Sequence, residues 1–76
     1  MDPGLAFAKV LRKVRKQAGL TQEQLANNAG VDRTFISLVE RGINQPSVRV
    51  LFRLAAALGV SPTELINMTE HQSSQD

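Results

Sequence analysis

The chain has no cysteine, which excludes a disulfide framework and any thiolate metal site. Its single histidine, His71, stands in a polar C-terminal stretch with no evident acidic partner. No Gly-rich phosphate loop is present, and no acids are spaced for a metal. Glu23, Asp32, Glu40 and Glu64 each have a sufficient reason in helix starts, caps or ion pairing. An enzyme is therefore not expected, nor a cofactor, a metal or a small-molecule ligand. No run of 18 apolar residues occurs, and the N-terminus lacks a signal-peptide pattern, so a membrane span is not expected. There are no repeats, no linker and no strand-like alternation. A soluble, cytoplasmic, all-α protein is the default reading.

What remains is small and asymmetric. Seventy-six residues with 42% hydrophobic content make one domain with one modest core. The net charge of +2 conceals a division along the chain. All nine Lys and Arg residues fall between Lys9 and Arg53, while Asp2, Glu70 and Asp76 lie in the tails. From Leu5 to Asn67, nine bases meet four acids, a balance of +5. A basic body of this kind suits phosphate binding, though it also suits a merely solvated surface.

The stretch from Thr21 to Glu40 organises the rest. Thr21 is an N-cap residue, and Gln24 three positions later completes a capping-box pattern. Leu25, Ala26 and Ala29 share one helical face. Gly30 tolerates the positive φ that a helix C-terminus often takes. Asp32, two residues on, is placed to cap a second helix that buries Ile36 and Val39 one turn apart. A small residue at Ala26 lets the two helices cross closely. Two short helices at a steep angle form a helix-turn-helix.

Counting Gln22 as first, Ala26 is fifth, Gly30 ninth, Ile36 fifteenth and Val39 eighteenth. This pattern resembles the Cro/cI-type, or XRE-family, helix-turn-helix of phage repressors and small bacterial regulators, over Val10 to Ile66. Arg-Thr-Phe-Ile-Ser at residues 33–37, followed by Glu-Arg-Gly at 40–42, is similar to the controller proteins of restriction-modification systems.

The flanking chain reads as more helices. Met1 to Gly4 is expected to be a loose lead-in, with Pro3 and Gly4 opposing helix. Leu5 to Ala18 reads as the first helix, with Phe7, Val10, Leu11, Val14 and Ala18 on its core face. Lys9, Arg12, Lys13 and Lys16 fill much of the opposite face. Leu20 packs just before the cap of the second helix. The third helix is expected from about Arg33 to Arg41, with Gly42 as its stop. Ser47 caps a fourth, Val48 to Leu58, with a core face of Leu51, Leu54, Ala55 and Leu58. Ser61 and Pro62 open a short fifth helix ending near Asn67. The expectation is a five-helix bundle over residues 5–68, flexible over 1–4 and 69–76.

The resemblance implies roles. It implies an ion pair between Arg15 and Glu40 that clamps the first helix to the third, a structural role. It implies a third helix lying in the major groove of double-stranded DNA, with Arg33, Thr34 and Ser37 at base edges. Gln22 would grip phosphate at the N-terminus of the second helix. Arg41, Asn44 and Gln45 would add backbone contacts after the recognition helix. Phe35 stands where controller proteins often have tyrosine. It lacks the hydroxyl that reaches DNA, so its contact would be apolar, or it would cover the turn. The family commonly binds pseudopalindromes as a homodimer. Val48, Phe52, Ala56, Ile66 and Met68 are surplus to the core and form the candidate dimer surface. The function expected is a transcriptional regulator acting at bacterial or phage DNA in the nucleoid. An alternative is a helix-turn-helix used only for protein contact, as in an antitoxin or antirepressor. The basic first helix and Arg33 argue against that, since apolar docking needs neither. A third reading is a piece of a larger ligand-sensing repressor. A complete five-helix unit with its own polar tail argues that the chain stands alone.

Overall fold

Each helix starts at a residue able to take a free backbone N–H. A computed structural model describes residues 1–75. It contains α1 (Pro3–Gln17), α2 (Gln22–Ala29), α3 (Arg33–Glu40), α4 (Val48–Leu58) and α5 (Pro62–Ser73), with no strand among the described residues. Thr21 and Gln24 form a reciprocal capping box on α2, and Ser61 and Glu64 form another on α5. Ser47 accepts from the Val50 N–H to cap α4.

Several expectations are corrected. The lead-in is helical from Pro3, because Asp2 caps α1 by accepting the Leu5 N–H at 3.1 Å. Proline at the first helical position gives up a donor that would have no helical partner anyway, so it opens the helix rather than opposing it. At the other end of α1, Ala18 is an exposed C-cap residue and not part of the core face. The fifth helix runs to Ser73 instead of stopping near Asn67. Thr69 makes this possible. Its hydroxyl donates to the Leu65 carbonyl at 2.7 Å, so a polar residue can be buried where α5 lies along α1. The Met1 ammonium donates to the Ser73 carbonyl at 2.8 Å, so the two ends of the chain meet. Asp76, the last residue of the expected tail, lies outside the described residues.

A further correction concerns Asp32. It occupies the N-cap position of α3, but its side chain makes no capping hydrogen bond. The turn between α2 and α3 is held by backbone instead. Gly30 sits at φ 72°, and the Val31 N–H donates to the Ala26 carbonyl at 3.0 Å. This left-handed residue lets the chain reverse within a few residues.

The core sits between α1 and the other four helices. Leu11, Leu25, Ile36, Leu54 and Leu65 are fully buried at its centre, and Phe7, Val10, Val14, Ala55 and Leu58 surround them. Leu51, expected in the core, is half-buried and packs on its edge. Ala26 is buried on α2, which packs against α3. Ile36 and Val39 face inward from α3. That leaves the opposite face of α3 to solvent.

Candidate nucleic-acid interface

The inner side of the candidate interface is an ion-pair network. Arg15 reaches from α1 to α3 and grips Glu40 with two bonds, Nε to Oε2 at 2.6 Å and Nη2 to Oε1 at 3.0 Å. Its third bond, Nη1 to the Leu20 carbonyl at 2.9 Å, ties in the segment before α2. The side chains are only 11% and 4% exposed. The hydrogen bond to Glu40 is the main cause holding the Arg15 pKa above its usual value, with desolvation working against it and the charge of Glu40 adding to it. The bidentate clamp expected from Arg15 and Glu40 is therefore present, and it fixes α3 relative to α1.

Gln22 joins this network. Its amide Nε2 donates to Glu40 Oε1 at 3.1 Å. This link was not legible in the sequence, because the two residues stand 18 apart and no local rule pairs them.

On the outer side, Arg33 and Thr34 are exposed in the first turn of α3. Ser37, one turn on, is half-buried on the same side, opposite Ile36 and Val39. Arg33 shares an open cleft with Arg15, Thr21, Gln22 and Glu23, so the starts of α2 and α3 lie side by side. Phe35 is half-buried and packs against the core. Arg41 and Asn44 are exposed just beyond α3. Gln45 is exposed too, but it lines a different groove with Pro3, Gly4, Phe7 and Leu51 at the N-terminal end of α1. Gly4 and Arg15 are eleven residues apart on α1, or about 16 Å along a helix axis, so the structure does not bring Gln45 to the cleft.

The basic residues of α1 do not all face this cleft. Lys13 stands two positions from Arg15, on the opposite side of the helix. It lines a groove against α5 with Val10, Val14, Met68 and His71.

The expected dimer surface divides. Val48, Phe52 and Ala56 recur every fourth residue along one exposed stripe of α4, with Val48 71% and Phe52 58% exposed. Ile66 is exposed and lines the groove that Leu51 also lines. Met68 does not belong to this surface. Residues two apart on a helix point to opposite sides, and Met68 faces the groove with Val10. Among the described residues, no group of three His, Cys, Asp or Glu side chains could hold a metal ion. None of the helices is long and apolar enough to cross a membrane.

Comparison with known proteins bears on the whole arrangement. The helix-turn-helix family model HTH_3 matches residues 11–65. The chain belongs to the XRE-type helix-turn-helix family. It is similar to the HTH-type transcriptional regulator y4dJ of Sinorhizobium fredii, at 41% identity over 70 residues, covering 92% of this chain and 91% of that protein. It is similar to the control protein C.BamHI of Bacillus amyloliquefaciens, at 35% identity over 66 residues, covering 86% and 82% of the two chains. Among solved structures it resembles the restriction-modification controller protein C.AhdI of Aeromonas hydrophila. That match has a TM-score of 0.78 and 41% identity, and covers 80% of this chain and 92% of the other. This HTH_3 chain is thus a DNA-binding transcriptional regulator, not an enzyme, and its five-helix fold is that of the controller proteins.

Proposed function

We propose that the chain binds a pseudopalindromic operator in double-stranded DNA as a homodimer, with α3 in the major groove. One observation carries the reading. Arg33 and Thr34 project from the exposed face of α3 beside the N-terminus of α2, on a helix whose other face is locked into the core. A recognition helix needs both halves of that arrangement: free side chains at its N-terminal end and a rigid mount behind them.

In this reading Arg33 donates two bonds to guanine O6 and N7. Thr34 offers a hydroxyl to a base and a methyl to thymine, and Ser37 reaches a base edge one turn on. Gln22 holds a backbone phosphate, as do Arg41 and Asn44 beyond the helix, and these contacts set register without reading sequence. Phe35, packed on the core, supports the helix more than it touches DNA. With Gln45 turned toward α1, it contributes less than its neighbours. The exposed stripe of Val48, Phe52 and Ala56, continued by Ile66, buries itself against a second copy. The pair places two recognition helices about 34 Å apart, one turn of DNA. The protein acts in the cytoplasm on bacterial or phage DNA.

Selection of bound sequences from random duplex DNA tests the proposal and yields half-site, spacing and symmetry together. Arg33→Ala is then titrated against the selected duplex and a scrambled one. The expected loss is about 1–3 kcal/mol on the selected duplex, with relaxed preference at one base pair. Equal losses on both duplexes would reduce Arg33 to a phosphate contact and refute the base readout. Absence of any enriched sequence would refute operator binding as a whole.

A further inference from the structure

Three donors converge on the Glu40 carboxylate. Arg15 occupies both oxygens, and the Gln22 amide nitrogen adds a bond to Oε1. The Glu40 side chain is only 4% exposed, so water scarcely competes for those oxygens. Glu40 belongs to α3, Arg15 to α1, and Gln22 is the first residue of α2. A single buried carboxylate thus receives one donor from the start of α2 and fixes the direction of that side chain.

A primary amide nitrogen carries two hydrogens in one plane. One Gln22 hydrogen points inward to Glu40, which sets the direction of the other. That second N–H has no acceptor among the described residues. The backbone N–H groups of Gln22 and Glu23 are in the same condition, as uncapped first-turn donors of a helix are. The Gln24 and Leu25 N–H groups, by contrast, are both taken by Thr21. The free donors at the start of α2 are therefore two backbone N–H groups and one side-chain N–H, the last aimed by a residue of the recognition helix.

We infer that Glu40 is a positioning residue for DNA binding: it orients the Gln22 amide so that its free N–H joins the first backbone N–H groups of α2 on one DNA phosphate. This rests on the proposed operator binding through α2 and α3. Glu40 itself touches no DNA. A buried acid close to a phosphate opposes binding by its charge, but Arg15 neutralises it. Without the bond to Glu40, the long Gln22 side chain samples several rotamers and loses freedom only on meeting DNA.

A double-mutant cycle on DNA affinity tests the inference. The full chain and its variants Gln22→Ala, Glu40→Asp and the double variant are titrated with the selected duplex and an unrelated one at fixed salt. Glu40→Asp keeps a charge for Arg15 but withdraws the carboxylate by one methylene from Gln22. Gln22→Ala is expected to weaken binding roughly 2- to 12-fold, the equivalent of one net hydrogen bond. The factor is expected to be the same on both duplexes, because a phosphate contact carries no sequence. Glu40→Asp is expected to weaken binding within that range in the wild-type background and to have no further effect once Gln22 is alanine. Losses that multiply independently would overturn the inference, as would unchanged affinity of Gln22→Ala. Either result leaves operator binding standing if Arg33→Ala still loses specificity, so the two readings fail separately. Side-chain amide relaxation of Gln22 in the free wild-type protein provides a check independent of variant folding. An ordered amide is expected, and a freely mobile one would overturn the claim.

Discussion

Removing either partner of the Arg15–Glu40 pair is expected to be among the most costly single changes in this domain. The magnitude follows from burial. At 11% and 4% side-chain exposure, neither charge can fully recover its hydration when the other is removed. In Arg15→Met, Glu40 keeps only the bond from Gln22. In Glu40→Gln, the guanidinium keeps only neutral carbonyl acceptors, from Leu20 and the introduced amide, and loses its counter-charge. Breaking a buried pair from one side costs about 3–5 kcal/mol. A domain of 76 residues has about 4–11 kcal/mol of stability in total, at roughly 0.05–0.15 kcal/mol per residue. Each single variant is therefore expected to lose about a quarter or more of the total, with a melting point lowered by about 12 °C or more at 4–8 °C per kcal/mol.

The double variant decides whether the pair is coupled. With both charges gone, no unpaired ion remains, and an uncharged replacement of similar volume is often close to neutral. Arg15→Met with Glu40→Gln together is expected to lose no more than either change alone, giving a coupling of about 3 kcal/mol. Urea titrations followed by circular dichroism, with an osmolyte added for the single variants, supply all four corners of the cycle. Repeating the wild-type titration in high salt is expected to change little, because a pair this buried is poorly screened. Small losses of about 0.5 kcal/mol that add in the double variant would place the pair among ordinary surface ion pairs and refute the argument from burial.

Two further outcomes are expected. Phe52→Glu, at a side chain 58% exposed, is expected to leave the thermal melt unchanged while converting a micromolar dimer to a monomer in sedimentation; unfolding of the variant, or a monomeric wild type, would contradict the assignment of α4 as the dimer surface. Gly30→Ala is expected to lose about 1–2 kcal/mol in urea from backbone strain alone, since φ is 72° and nothing lies within 4 Å of an added methyl group. Gly30→Asn, which tolerates this region better, is expected to lose less. Equal stability of all three proteins would contradict it.

What the sequence made legible divides along the range of the interactions. Thr21 with Gln24 and Ser61 with Glu64 act across three residues, so the sequence alone places those caps. Ile36 and Val39 follow from helical period, and with them the free face that carries Arg33 and Thr34. Pro3 is ambiguous in the sequence because the same residue breaks a helix interior and opens a helix start. Position relative to Asp2 decides which, since Asp2 caps α1. The length of α5 was out of local reach. Residues 69–73 are polar, and what keeps them helical is the burial of Thr69 beside α1, more than fifty positions away in the chain. Met68 differs from both, since helical period alone separates it from Ile66 and puts the two on different grooves. The link between Gln22 and Glu40 is the opposite extreme. Nothing in either residue's neighbourhood favours their meeting, and it arises only when α2 and α3 pack together in the fold. The chemistry of an interface residue is thus readable from its type and its helical face. The direction in which it presents a hydrogen is set by a partner elsewhere in the fold, and that direction governs how tightly Gln22 can hold a phosphate.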